Sequence, residues 1–220
     1  MSLSLATLTV PAIPVVLPLS SRDIGLADSG NYYVATTAAP GTGIIGFATT
    51  TTFVIGSANP YLYLYNPGPA TIYPAFLRLQ MTAAMVGSGN VRFEHTLEQF
   101  NKQTTIATAL SPLNTNPSSP NKSNAVLSVG ANVCNAITGT NRLLGNGLFR
   151  NSIGIINDTY QFNFGQTAIE PVTIVATYMN ISLPFVQPVI PPGWNWSVLF
   201  WSAGTSTGPT FEVDFGFFEK

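Results

Sequence analysis

Apolar and polar positions alternate along most of this chain, and helical periodicity is nearly absent. In residues 91–100, Val91, Phe93, His95 and Leu97 fall on one side and Arg92, Glu94, Thr96 and Glu98 on the other, the pattern of a half-buried strand. Residues 211–218 repeat it, with Phe211, Val213, Phe215 and Phe217 inward and Glu212 and Asp214 outward. Residues 61–65 alternate Tyr with Leu and stop at Asn66-Pro67-Gly68-Pro69, a turn cluster that leads into a strand at 71–82. Gly87 and Gly89 then predict a turn, with 91–100 as the partner of 71–82. Further strands are expected at 31–37, in the Thr-rich run 44–55, and at 154–164, 171–178, 185–190 and 194–201. A short helix is expected within 141–148. The total is roughly eight to ten strands, without a repeat at a solenoid period.

Two segments depart from this pattern. Residues 111–124 (SPLNTNPSSPNKSN) hold three prolines and almost nothing apolar, which predicts a long exposed loop of the functional or mobile kind. Residues 1–20 carry no charge and many aliphatic side chains, interrupted by Pro11, Pro14 and Pro18. No basic residue precedes the apolar run and the prolines break it, so it reads neither as a signal peptide nor as a membrane span. Proline at this spacing favours an extended path. The expected architecture is all-β: a single β-sandwich of jelly-roll type over residues 21–220, with an extended N-terminal arm over residues 1–20 that packs on its own sandwich or on a neighbour.

Composition changes the picture in one respect. Only eight basic and nine acidic residues occur among 220, whereas an ordinary soluble domain is about a quarter charged. Solubility therefore comes from hydroxyl and amide surfaces, or from burial against other copies. The net charge is −1 with no basic tract, which argues against nucleic acid and anionic membrane surfaces as partners. Cys134 is the only cysteine, so an internal disulfide is excluded, and it reads as a small buried hydrophobe.

The chemistry-bearing patterns are weak. Gly41-Thr42-Gly43-Ile44-Ile45-Gly46 matches GxGxxG, but a β-rich run follows it in place of a helix and no acidic residue lies between Asp28 and Glu94, so no dinucleotide cofactor is expected. Glu94-His95-Thr96-Leu97-Glu98 is the densest ionisable cluster. With one histidine and one cysteine in the chain a zinc site is not expected, and His95 reads as a core or interface residue. Glu212 and Asp214 share a face about 7 Å apart, a spacing open to calcium or to glycosidase chemistry, against a solvated edge face as the plainer reading. Trp194 and Trp196 share a face with Val198 and Phe200. Such a pair is either core, a subunit contact, or a platform for sugars. No catalytic, metal or cofactor residue is assigned.

Three stretches carry a resemblance: Leu64-Tyr65-Asn66-Pro67-Gly68 with Ala70-Thr71-Ile72-Tyr73; Ile190-Pro191-Pro192-Gly193-Trp194; and Gly204 to Gly208 leading into Phe211 to Glu219. They resemble virion proteins of tailed bacteriophages, in particular jelly-roll decoration (cement) proteins. The resemblance implies a homotrimer on the outer surface of a capsid, bound to the major capsid protein, and it brings no catalytic residues. The expected function is structural, a subunit that oligomerises and stabilises a shell by interface burial, and not an enzyme. Its contact residues are expected in the arm, at Leu8, Val10, Ile13, Val15, Val16 and Leu17. The competing readings are a carbohydrate- or receptor-binding module using Trp194 and Trp196 or the 111–124 loop on a glycan, and a β-sandwich hydrolase using Glu94, Glu98, Glu212 or Asp214.

Overall fold

A computed structural model of the chain describes residues 22–37, 41, 43–45, 59–84, 86–87, 91–135, 142–150, 155–165, 173–175, 178–202, 205–207 and 209–220. In chain order these form a helix α1 (Arg22–Asp28) and strands β1 (Tyr32–Thr36), β2 (Ile44–Ile45), β3 (Leu62–Tyr65), β4 (Ile72–Ala83), β5 (Val86–Gly87), β6 (Val91–Gln99), β7 (Gln103–Thr105), β8 (Thr108–Leu110) and β9 (Leu113–Asn114). They continue with β10 (Val126–Val129), β11 (Val133–Cys134), β12 (Arg142–Arg150), β13 (Thr159–Phe164), β14 (Thr173–Val175), β15 (Tyr178–Phe185), β16 (Trp194–Ser202), β17 (Thr205–Thr207) and β18 (Thr210–Glu219). The strands beyond the expected number are mostly two- or three-residue pieces, which carry too little alternation to register in a sequence.

The chain is an all-β sandwich. Its larger sheet is ordered β14-β15-β13-β4-β18-β1-β9, with β2 also on β18, and its smaller sheet β12-β6-β16-β3-β10-β8. Taking β1, β3, β4, β6, β12, β13, β16 and β18 in chain order, the larger sheet runs first-eighth-third-sixth and the smaller second-seventh-fourth-fifth. Every neighbour in these two sets is antiparallel. β15 is added beside β13 in parallel.

Several expectations are corrected here. The strands at 71–82 and 91–100 are not partners: β4 pairs with β18 and β13, and β6 with β16 and β12, so consecutive strands lie in opposite sheets. The helix expected within 141–148 is strand β12, where the glycines suit close packing: a Cβ at Gly145 would stand 2.7 Å from His95 Nε2. The strand expected at 185–190 ends at Phe185. Beyond it Pro188, Pro191 and Pro192 lack the N–H a ladder needs, and only a bridge between Ile190 and Ile72 returns to the sheet. Glu212 and Asp214 do not sit on an edge, since β18 is central between β4 and β1. Of the 44–55 run, Ile44 and Ile45 pair with β18 and 46–58 lie outside the described residues, as does the arm over 1–20.

Alternation fixes the core. Phe211, Val213, Phe215 and Phe217 of β18 are fully buried, as the pattern predicts. Trp196 of the facing sheet stacks on Phe215 with centroids 5.7 Å apart, Phe215 stacks on Phe217 at 5.5 Å, and Phe217 on Tyr33 at 5.5 Å. This aromatic series runs from the middle of the sandwich toward one end. There α1 closes the outer face of the larger sheet, with Leu26 and Ala27 packed on Tyr32, Ala75 and Phe218.

Candidate functional site

The end of the sandwich reached by that series is where three connections meet: 66–71 between β3 and β4, the excursion from Phe100 to Asn135, and 186–193. Backbone bonds tie them together. Asn66 N–H donates to Trp194 O at 2.9 Å, Gly193 N–H to Asn66 O at 2.7 Å, and Phe100 N–H to Gly193 O at 2.7 Å. The Asn66 amide is buried and donates to Ala70 O and Ile190 O, both at 2.8 Å. Asparagine suits this position because its short carboxamide supplies donors and an acceptor at backbone spacing.

Between β8 and β10 the excursion forms the 111–124 loop, which the sequence marks as exposed. It is held by asparagine side chains. Asn114 donates to Gly30 O and Asn121 O, both at 2.9 Å. Asn116 donates to Asp28 O at 3.1 Å, and Asn121 to Gly30 O at 3.2 Å. Gly30 has φ +70°, and a Cβ there would lie 2.1 Å from Ser119 Oγ, so only glycine lets the loop approach the turn after α1. Under the loop lies a groove of about 600 Å³, with Tyr33 and Leu127 on its floor and Leu113, Pro117, Pro120 and Val126 on its walls. A second hollow of about 320 Å³ shares Tyr33, Asn121 and Lys122 with it and reaches Glu219. Burial raises the Glu219 carboxyl above its ordinary range, partly offset by a 2.5 Å bond from Ser123 Oγ.

The sequence candidates fall elsewhere. Trp196 is completely buried, the core alternative of the sequence reading, so it cannot stack on a ligand and the pair forms no sugar platform. Trp194 is half-buried, with the Arg142 guanidinium 5.5 Å from its ring centroid. Trp196 Nε1–H instead approaches His95 Nδ1 at 3.4 Å, which places the proton of a neutral imidazole on Nε2. His95 is walled by the rings of Phe93, Phe164, Phe185 and Trp196, and burial pushes its pKa down to about 4. It is a core histidine.

Glu94 and Glu98 were expected on a solvated face, yet both are buried, at 0% and 3% exposure. The excursion folds over Glu98: Lys102 N–H donates to Tyr63 Oη at 2.8 Å, and Lys102 Nζ stands 4.0 Å from Glu98 Oε1. The remaining void here is about 10 Å³, room for one water. Cys134 lines it, and burial and the Glu98 charge push its thiol up to about 12. On the opposite sheet Asp214 pairs with Arg78, and Glu212 accepts from Gly41 N–H. The two carboxylate pairs thus occupy opposite outer faces and do not converge, so the hydrolase reading loses its cleft. Gly41-Thr42-Gly43 leads into strand β2, as expected for a turn. Among the described residues no cluster of His, Cys, Asp and Glu has the makings of a metal site, and no helix is long and apolar enough to cross a membrane.

Sequence reasoning found the 111–124 loop but not the groove beneath it. The signal was the asparagine density, read as polarity when it is the loop's internal fastening. The sequence matches no known protein family, and no curated protein and no solved structure matches the chain.

Proposed function

We propose that this chain is a structural assembly subunit, of the kind that decorates and cements the outer surface of a viral capsid as a homotrimer on the major capsid protein. The observation that carries the reading is that a nearly uncharged molecule exposes a set of apolar side chains around the three connections at one end, beside others at Ile106, Val133, Leu143, Ile155 and Ile156. Leu113 is 71% exposed, Phe100 and Val186 63%, Val189 43% and Val126 36%. Scattered surface apolar residues are ordinary, whereas a set gathered at one end marks a contact surface. Without a charged coat to keep copies apart, such an end favours association.

The strand order supports the same reading. An eight-strand double sheet ordered first-eighth-third-sixth and second-seventh-fourth-fifth is the arrangement of a jelly roll, a fold used by capsid and lectin domains alike. We take this sandwich as one. Fold alone does not choose between those uses. The glycan alternative is weakened because Trp196 is core and Trp194 is capped by Arg142.

Light scattering of the full-length chain on a sizing column tests the reading. A stable trimer or larger closed ring is the expected result. A monomer at micromolar concentration, together with saturable binding on a glycan array, would overturn it in favour of the binding module.

A further inference from the structure

We propose that the groove beneath the 111–124 loop receives a few residues of the proline-spaced apolar segment 8–17 of a neighbouring copy. This rests on the assembly reading and names the contact through which copies join.

The groove's chemistry selects its occupant. Most of the amide and hydroxyl side chains around it are already engaged with their own subunit: Asn114, Asn116 and Asn121 hold the turn after α1, and Ser123 holds Glu219, which leaves Tyr33, Ser111 and Lys122. A sugar would need several uncommitted donors and acceptors. The larger part of the remaining lining is proline rings and aliphatic carbon, from Pro112, Leu113, Pro117, Pro120 and Val126. Its volume of about 600 Å³ falls in the range that accommodates a small ligand or a few residues of extended peptide. Among the described residues lining it, Lys122 alone is charged.

Residues 8–17, Leu-Thr-Val-Pro-Ala-Ile-Pro-Val-Val-Leu, match these features. They are uncharged, their prolines at 11 and 14 favour a preformed extended backbone, and such chains dock into apolar grooves at low entropic cost. The segment is tethered close by. It precedes α1, whose last residue, Asp28, accepts a bond from Asn116 of the groove loop. At about 3.1 Å per residue, the chain ahead of Arg22 spans up to roughly 65 Å, enough to cross to an adjacent subunit.

The test uses full-length chains and light scattering over a concentration series. Compared are the native sequence, a groove variant (Leu113→Asp with Val126→Asp), an arm variant (Val10→Asp with Ile13→Asp), and an equimolar mixture of the two variants. Both groove positions are exposed, so circular dichroism and melting should match the native chain. The expected result is an oligomer for the native chain, at least a tenfold rise in its dissociation midpoint for each variant, and dimers in the mixture, where one intact arm meets one intact groove. As a second measurement, a synthetic peptide of residues 5–20 added to the native chain should lower its native mass. A groove variant that assembles like the native chain, or a peptide without effect at saturation, overturns the groove contact and leaves the assembly reading standing. Failure of the mixture to form dimers overturns docking on a neighbour. A native chain that is monomeric throughout overturns the assembly reading itself.

Discussion

The middle of the sandwich and the 111–124 loop are both fixed by contacts, but by opposite means. Around Trp196 the order comes from ring packing: Phe215 stacks on one side at 5.7 Å and Phe164 meets the indole edge-on at 5.2 Å. Within residues 111–124 no side chain is fully buried, and order comes from short amide side chains reaching backbone carbonyls of the loop itself and of the turn after α1. Apolar burial is non-directional and sums over area, whereas a hydrogen bond contributes only about 1 kcal/mol net but demands one geometry. The core therefore sets how stable the molecule is, and the loop sets what shape its end presents.

The largest blow to that contrast is Trp196→Ala. Removing a fully buried indole leaves a cavity between the sheets, with a cost of about 3–5 kcal/mol. Chemical denaturation should show this as a lower midpoint at unchanged slope. A loss below about 1 kcal/mol would mean the ring series is not the stabilising element.

His95 sharpens the contrast through pH. Its pKa is held at about 4 in the folded chain against an ordinary value of 6.5, so the unfolded chain takes up the proton first. The stability contributed is complete above pH 6.5 and is lost as pH falls from there through about 4. A shift of this size corresponds to about 3 kcal/mol at most. Denaturation midpoints between pH 7 and 4 should fall in the native chain and fall less in His95→Gln. Parallel curves would remove His95 as the cause.

Gly145→Ala probes the same site from the neighbouring strand. The added methyl meets His95 Nε2 at 2.7 Å, inside a packed ring of aromatics that has little room to yield. Overpacking of this kind costs about 1–3 kcal/mol. Pairing Gly145→Ala with His95→Ala should recover part of that loss, because the clash partner is gone, and strict additivity of the two losses would show the contact to be absent.

What was legible in the sequence follows from the same division. Phe211, Val213, Phe215 and Phe217 announce their inward face because alternation is a local property of a strand. Pairing is not local. Nothing in 71–82 reveals that β4 joins β18, more than a hundred residues later, in preference to β6 just after it. The Glu94 and Glu98 face looked solvated because carboxylates usually are, and it takes the excursion from Phe100 to Asn135, folded back beside Glu98, to cover that carboxylate. Trp194 and Trp196 share one strand face in the sequence, yet the strand end leaves one at the rim and sinks the other. The groove was invisible for a further reason. It depends on where Asn114, Asn116 and Asn121 reach, and an amide's partner 80 or 90 residues away leaves no periodic trace.

The smallest predicted effect is the most pointed, because it falls on shape and hardly on stability. Asn114→Ala removes donors to Gly30 O and Asn121 O in a partly exposed setting, where water can replace them. The global cost should be about 1 kcal/mol. The local consequence is larger, since Asn114 Oδ1 also accepts from Asn116 N–H at 2.9 Å and so holds the residue that reaches Asp28 O. Amide exchange at residues 114–121 should then speed up by tenfold or more while exchange in β18 stays at its native rate. Uniform acceleration across both would mean that the loop is part of the cooperative core. Unchanged exchange in the loop would mean that its prolines alone, and not its asparagines, hold the groove open.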